Sequence, residues 1–273
     1  MKIIDSFSYQ EIQGFKFGKS TFGTPKLYSH VYFLDGLLID TGHRRMSKDV
    51  LNKIKDLPVT KIFITHHHED HSGNIDQLQK HFKCPVYGSQ LCSEVMKDPP
   101  PISLSQHMTW GDRLAYNGII PTAENISTSN YNFRIIGVPG HAVDMVCLYE
   151  PNMKWLFSAD LYVNSYIGYF LREESITQQI DSIKKVLKLD FDVLLCGHNP
   201  QFKDGKIKLE KKLNFLRSFK DDVKREYEKG KGAEEIFRVL NLKEFKFVKF
   251  VSGGALSKLN MVRSVIRDIN KDR

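Results

Sequence analysis

The sequence has few cysteines and no long apolar segment. Its 273 residues include four cysteines, and no two of them form a Cys-x-x-Cys pair. This spacing indicates the reduced thiols of a cytosolic protein. No apolar run reaches the roughly 20 residues that span a bilayer, and the opening MKIIDSFSYQ lacks the regions of a signal peptide. We therefore expect a cytoplasmic protein without a membrane partner.

Positive charge, in contrast, is in excess. There are 40 lysines and arginines against 32 aspartates and glutamates, a formal net charge of +8. This balance favours anionic partners such as phosphates, nucleic acids or carboxylates without choosing among them. With 41% hydrophobic residues, the chain can bury a sizeable core, as one large domain or as a domain with an appendage.

Short apolar runs alternate with amphipathic segments over the first 200 residues, a pattern typical of an α/β fold. Asp35-Gly36 separates two of these runs and predicts a two-residue hairpin turn. Ser47 is expected to cap one helix, and a second is predicted over residues 75–82. The predicted strands cover residues 26–34, 37–40, 61–65, 84–88, 132–138, 145–150, 154–160 and 192–196.

Two regions depart from this alternation. Residues 89–131 have no regular pattern and predict either a functional flap or a weakly ordered surface loop. After residue 200 the chain is rich in lysine, and helices are expected near 206–229, 233–240 and 255–269. We therefore expect an α/β body at residues 1–200 and a helical C-terminal extension at 201–273 that packs on it.

The stretch FITHHHEDHSGN, residues 63–74, concentrates potential metal ligands directly after an apolar strand. His66 and His68 are spaced to hold one ion, and Asp70 with His71 a second ion beside it. Imidazole and carboxylate groups are suitable ligands for zinc, iron or manganese. His67 and Glu69 are expected not to ligate, and Glu69 is expected at the surface or behind a ligand. His43 is expected to be structural or exposed, although it follows Asp-Thr-Gly closely enough to lie near the site.

Three more ligand-type residues follow predicted strands. They are His141 after residues 132–138, Asp160 at the end of 154–160, and His198 after 192–196. Because the carboxyl ends of strands in α/β proteins line the functional crevice, these side chains are expected to converge on the histidine cluster.

The ordered motifs resemble those of the metallo-β-lactamase superfamily over roughly residues 26–200. Its His-x-His-x-Asp-His signature matches residues 66–71, and its leading Asp-Thr-Gly matches residues 40–42. The resemblance implies an αβ/βα four-layer sandwich with two divalent ions at one edge, most simply zinc, with manganese or iron as alternatives. It implies these ligands: His66, His68 and His141 for one ion, Asp70, His71 and His198 for the other, and Asp160 as a bridge.

One departure is Ala159, where the family usually has glycine; little effect is expected. The two-metal set is similar to that of glyoxalase II-like and lactonase-like members. It implies a metal-bridging hydroxide that attacks a small, anionic thioester, lactone or ester. Asp40 is expected to accept a hydrogen bond from a ligand histidine, and Asp70 to orient the hydroxide. The segment after Asp160 is expected either to bind substrate or to pack in the core through Tyr162, Tyr166, Tyr169 and Arg172.

Two other functions remain open from the sequence. The +8 charge and the lysine-rich helix suit a phosphodiesterase or ribonuclease that uses the same ions, although nucleic acid is not the favoured partner. A metal-bound sensor without turnover is the third hypothesis.

Overall fold

Two β-sheets lie face to face, with helices on both outer faces, in the computed structural model, which describes residues 1–20 and 23–271. The strands are β1 (Lys2–Tyr9), β2 (Ile12–Lys19), β3 (Ser29–Leu34), β4 (Leu37–Ile39), β5 (Lys61–Ile64), β6 (Val86–Gly88), β7 (Ile119–Pro121), β8 (Asn125–Ser127), β9 (Asn132–Gly137), β10 (Val146–Glu150), β11 (Trp155–Ala159) and β12 (Val193–Cys196). One sheet has the order β1-β2-β3-β4-β5-β6-β7 and the other β12-β11-β10-β9-β8.

Helices connect and cover these strands. They are α1 (Ser47–Ile54), α2 (Glu69–Ser72), α3 (Ile75–Phe82), α4 (Gln90–Val95), α5 (Leu104–Trp110), α6 (Ile176–Val186), α7 (Gly205–Tyr227), α8 (Ala233–Val239), α9 (Lys246–Val251) and α10 (Lys258–Lys271). None of the helices in this described part of the chain is both long and apolar enough to cross a bilayer.

Side chains that point alternately to the two faces of each strand form the cores between the four layers. In β3, Tyr32 and Leu34 point into the space between the sheets, where they share a cluster with Phe157 of the facing sheet. Val31 and Phe33 of the same strand point the other way, into a cluster with α1 and α3. Because successive side chains point to opposite faces, a strand covered on both sides reads as a continuous apolar run. The expected four-layer α/β sandwich is confirmed.

Strand direction places several carboxyl ends at one edge of the sandwich. Strands β4, β5 and β6 are parallel neighbours, and so are β11 and β12. Strand β9 runs the same way as β11, because β10 lies antiparallel between them. The Val146 amide donates to the Thr65 carbonyl at 3.0 Å, and the His30 amide to the Gly197 carbonyl at 2.8 Å. These bonds hold the functional edges of the two sheets together.

The turn between β3 and β4 follows its sequence signal. Asp35 and Gly36 have φ angles of 46° and 82°, and Leu34 pairs with Leu37 across the turn. Positive φ at both central residues is the geometry of a type I′ hairpin. The predicted two-residue hairpin is confirmed.

We expect Gly36→Ala to destabilise the protein by about 1–2 kcal/mol, because φ is positive and the new Cβ would lie 2.7 Å from Thr60 Oγ1. Gly137→Ala is the control, since an added Cβ there meets nothing within 4 Å. Urea unfolding measures both variants. Equal stabilities for the two variants would contradict the proposed turn geometry.

Two local predictions were wrong. Ser47 does not cap α1; a short 3-10 turn precedes the helix, Met46 occupies the N-cap, and Ser47 Oγ donates to the Arg44 carbonyl at 2.6 Å. Residues 89–131 are not irregular but contain α4, α5, β7 and β8, which extend both sheets. These elements have three to seven residues each, too few for a clear periodicity.

The C-terminal helices complete the fourth layer. Leu209 and Leu216 of α7 and Val262 of α10 lie in one buried cluster with Ile180 of α6 and Leu194 of β12. Helix α9 was not predicted. The division of the chain at residue 200 stays a prediction.

Candidate metal centre

The ends of the strands carry the predicted ligands to one edge. Asp160 follows β11 directly, and His66 lies two residues after β5. His198 lies two residues after β12, and His141 follows β9 by four. All seven predicted ligand side chains are brought together there, in two adjacent groups.

The first group contains His66, His68 and His141, whose donor atoms lie within 4.8 Å of one another. His141 Nε2 is 3.0 Å from His68 Nδ1. Three imidazoles that converge on one point are a common arrangement for a catalytic zinc-type ion with an open fourth position.

The second group contains Asp70, His71, Asp160 and His198. His198 Nε2 lies 3.1 Å from Asp160 Oδ2, and His71 Nε2 lies 3.4 Å from Asp160 Oδ1. Asp160 Oδ2 is also 3.5 Å from Nε2 of His141 in the first group. The carboxylate of Asp160 therefore faces both groups.

Unpartnered atoms test whether this pocket suits a cation. His66 Nε2, His71 Nε2 and Asp160 Oδ1 are buried without a hydrogen-bond partner among the described residues. A buried polar atom left unsatisfied costs about 1–3 kcal/mol. Divalent ions between the two sets of lone pairs would satisfy these atoms, and nitrogen and oxygen donors fit zinc, manganese or iron. The residues present therefore fit the metals that the sequence predicts.

The second ring nitrogen of three histidines is held by an oxygen. The pairs are His71 Nδ1 with Asp40 Oδ2 at 2.7 Å, His141 Nδ1 with Glu174 Oε2 at 3.2 Å, and His198 Nδ1 with the Tyr28 carbonyl at 2.6 Å. An oxygen acceptor places the proton on Nδ1 and leaves Nε2 free for a cation. Asp40 also accepts hydrogen bonds from the Thr65 amide and hydroxyl. The hydrogen bond expected between Asp40 and a predicted ligand histidine is present.

Burial and nearby carboxylates shift the pKa values of the histidines in opposite directions. Burial lowers the pKa of His66 and of His68 well below 6.5, so both rings are neutral and available as ligands. Burial also lowers the pKa of His198, but Asp160 and Asp70 outweigh it and raise that pKa to about 9. The pKa of His71 is raised well above 6.5 in the same way, by Asp70, Asp160 and Asp40 against burial. A cation in the second group would displace protons from these two rings.

Comparison with known proteins agrees with this geometry. A sequence model of the metallo-beta-lactamase superfamily matches residues 25–198. The chain belongs to that superfamily. A metallo-beta-lactamase family protein from Thermus thermophilus has the same fold, with a TM-score of 0.69 at 13% identity over 97% of this chain and 94% of the other. The predicted family and fold are confirmed.

Two curated relatives are similar in sequence. An uncharacterized protein from Aquifex aeolicus is 28% identical over 176 residues, which are 60% of this chain and 78% of the relative. A hydroxyacylglutathione hydrolase from Bdellovibrio bacteriovorus is 27% identical over 161 residues, or 59% of this chain. The match spans 57% of that hydrolase.

The residue before Asp160 lies in a left-handed turn. Ala159 has a φ of 45°, and the pairing of β11 with β12 shifts register between Phe157 and Ala159. Glycine adopts this conformation freely, whereas alanine pays about 1 kcal/mol. The position of Asp160 therefore depends on a mildly strained turn.

The residues between the predicted ligands face away from the two groups. His67 Nδ1 lies 2.7 Å from Asp144 Oδ1. Glu69 is buried, so the alternative expectation that it lies at the surface was wrong. It forms a 2.6 Å ion pair with Arg113 from the 89–131 segment. This pair attaches the segment to helix α2, which carries two of the predicted ligands.

The same segment covers the second group. Trp110 lies at the end of α5 with its ring centroid 5.1 Å from that of His43 and 6.2 Å from that of His198. His43 is fully buried against Trp110, which agrees with a structural histidine that lies near the site. The regular elements and this packing contradict the weakly ordered surface loop, whereas the functional flap stays a prediction.

A cavity of about 810 Å³ opens from the first group. Among the four proposed substrate residues, Arg172 lines it. Tyr162 is 2% exposed and belongs to the core, and Tyr169 packs against Phe245. Tyr166 is 70% exposed and has a single edge-on contact with the ring of Phe215. The lining that the described residues form around this cavity includes none of the three tyrosines.

Glu174 and Arg113 are among the residues near the site that the sequence did not indicate. Glu174 is separated from His141 by 33 positions, and Arg113 from Glu69 by 44. Ser175 caps α6 and accepts a hydrogen bond from the Gln178 amide, but this local cap does not specify what the preceding Glu174 contacts.

We expect Asp40→Asn to lower zinc affinity about 10–100-fold, because it weakens the acceptor that orients His71. Competition with a chromophoric chelator measures the affinity. Asp49→Asn, which changes an aspartate paired with Lys2 away from the centre, is the matched control. Equal affinities for the two variants would show that Asp40 does not position the ligand.

Burial lowers the pKa of His30 to about 4, against 6.5 for a free imidazole. Between these values the unfolded chain binds a proton that the folded protein does not, so stability falls as the pH drops from about 6.5 to about 4. We expect His30→Gln to reduce this slope by up to about 1.4 kcal/mol per pH unit. The exposed His81, which also contacts a carbonyl, supplies the control His81→Gln, and urea unfolding across this range measures both. A slope unchanged by His30→Gln would refute the assignment.

Proposed function

We propose that this protein is a metal-dependent hydrolase of a small carbonyl substrate: a thioester, a lactone or an ester. The observation that carries the proposal is the carboxylate of Asp160, whose oxygens approach His71, His198 and His141 at 3.1–3.5 Å. A carboxylate between two sets of nitrogen ligands suits a pair of divalent ions. The proposed ligands are His66, His68 and His141 for one ion and Asp70, His71 and His198 for the other, with Asp160 shared.

When bound, two neighbouring divalent ions activate water for attack and stabilise negative charge on the carbonyl oxygen. The chain supplies the positioning. Asp40 holds the orientation of His71, and Glu174 does the same for His141. Asp70, whose Oδ2 lies 3.4 Å from His198 Nε2, is placed to orient the attacking water. Water adds to the carbonyl carbon, the bond to the leaving sulfur or oxygen breaks, and a proton passes to the leaving atom.

The similarity to hydroxyacylglutathione hydrolases supports hydrolysis of a carbonyl substrate. It supports the glutathione part of that name less, because the match spans 57% of the relative and 59% of this chain. The superfamily model ends at residue 198, before the C-terminal helices, and Phe250 of α9 lines part of the cavity.

The lysine-rich helix α7 favours the carbonyl substrate over a phosphodiester. Lys212 is 2% exposed and donates to the Leu161 carbonyl at 2.8 Å. Lys220 donates to Thr177 Oγ1, and Lys206 to the Leu189 carbonyl. Several lysines of this helix therefore form hydrogen bonds within the fold and are not available to bind the phosphates of a nucleic acid.

A hydrolysis panel tests the proposal on protein reconstituted with zinc and, separately, with manganese. We expect turnover of a glutathione thioester, an acyl lactone or an aryl ester, and a loss of at least about 100-fold in kcat/KM with Asp160→Ala. Asp181→Ala, at an exposed site on α6, is the control and retains turnover.

Other results would select the remaining hypotheses. Turnover confined to a phosphodiester such as bis(p-nitrophenyl) phosphate would replace the carbonyl substrate. Metal binding without hydrolysis of any compound would favour the sensor.

A further inference from the structure

Four exposed apolar side chains surround the cavity beside the first histidine group. Leu104 is 74% exposed, Met108 58%, Val143 60% and Phe250 86%. They come from α5, from the loop after β9 and from α9, three segments that are distant in sequence. Single exposed apolar residues are common, but several gathered around one cavity indicate a binding surface.

The cavity is continuous with the proposed metal centre. The residues that line it include His68 and His141 of the first histidine group. Its volume of about 810 Å³ lies within the roughly 300–1,000 Å³ range of small-molecule sites. A ligand that fills it therefore presents one end to the histidines and the other to the apolar rim.

The charges on the cavity wall argue against a ligand with several anionic groups. Arg172 is exposed and forms no salt bridge within residues 1–20 and 23–271, and Glu173 lies beside it. The other lining arginine, Arg113, is nearly buried and engaged with Glu69. Among the described residues that line the cavity, one available arginine next to a carboxylate suits a ligand that is mainly apolar.

We propose that this cavity binds the apolar acyl chain of the substrate and presents its carbonyl carbon to the histidine edge. The acyl groove is defined by Leu104, Met108, Val143 and Phe250. The inference rests on the proposed hydrolase function and narrows its substrate class to acyl esters, thioesters or lactones with an extended hydrocarbon chain. Burying each methylene of that chain raises affinity for the transition state by up to about fourfold.

The first test uses the zinc-loaded full chain with p-nitrophenyl acetate, butyrate and octanoate. We expect kcat/KM to rise at least about tenfold from acetate to octanoate, because the longer chain removes more apolar surface from water. A kcat/KM that stays constant or falls from acetate to octanoate would overturn the inference. Faster hydrolysis of a glutathione thioester of a short hydroxy acid than of the octanoyl ester would also overturn it.

Variants of the lining residues test whether the preference for the longer acyl chain arises in this cavity. Phe250→Ser and Leu104→Ser alter side chains that are mostly exposed, so the fold is expected to tolerate both changes. Each is expected to lower the octanoate-to-acetate ratio at least about threefold, since each removes part of one wall. Ile207→Ser is the control: this side chain is 50% exposed on α7, outside the cavity. A ratio that falls equally in all three variants, or in none, would overturn the assignment.

A binding measurement separates this inference from the proposed function. Isothermal titration calorimetry of octanoate with metal-free protein is expected to show binding that Phe250→Ser weakens and Ile207→Ser does not. Such binding without any ester turnover in the loaded protein would refute the hydrolase proposal and retain the groove. Turnover of all three esters at equal rates, with no octanoate binding, would refute the groove and retain the hydrolase.

Discussion

The carboxylate of Asp160 links the two histidine groups, and its position depends on the backbone around it. Ala159 bends the end of β11 through a positive φ, and the register shift against β12 directs the next side chain toward the edge. Gly197 on the neighbouring strand supplies the space, since a Cβ there would lie 2.5 Å from Asp160 Oδ1 and 2.6 Å from His71 Cε1. The residues at positions 159 and 197 are therefore both restricted by the position of the Asp160 carboxylate.

Two sheets are needed to build one centre. The seven-stranded sheet supplies Asp40 and the histidine cluster after β5, whereas the five-stranded sheet supplies His141, Asp160 and His198. The apolar layer between the sheets aligns their edges, and backbone hydrogen bonds at Thr65 and Gly197 join them. Because the donor atoms belong to both sheets, packing of the central core and assembly of the site depend on each other.

Helix α5 and the C-terminal helices border the cavity and the second group. Helix α5 packs Trp110 over the second group and presents Leu104 and Met108 to the cavity. Arg113 ties this segment to Glu69, and the C-terminal region supplies the opposite wall through Phe250. The candidate ligands and the cavity walls thus come from different parts of the chain, as is usual for folds that support many functions.

The sequence alone determined the family, the layered fold and the seven candidate ligands, because these features have local signals. Apolar runs mark strands, Asp35-Gly36 marks a hairpin, and the spacing of His66, His68, Asp70 and His71 is visible within one short stretch. Tertiary structure alone decided which residues contact those ligands and which of the tyrosines are buried. Glu174 reaches His141 and Arg113 reaches Glu69 only through packing between distant segments, and Tyr162 is buried because C-terminal helices cover it. Such contacts depend on where elements pack in space, which no periodicity along the chain encodes.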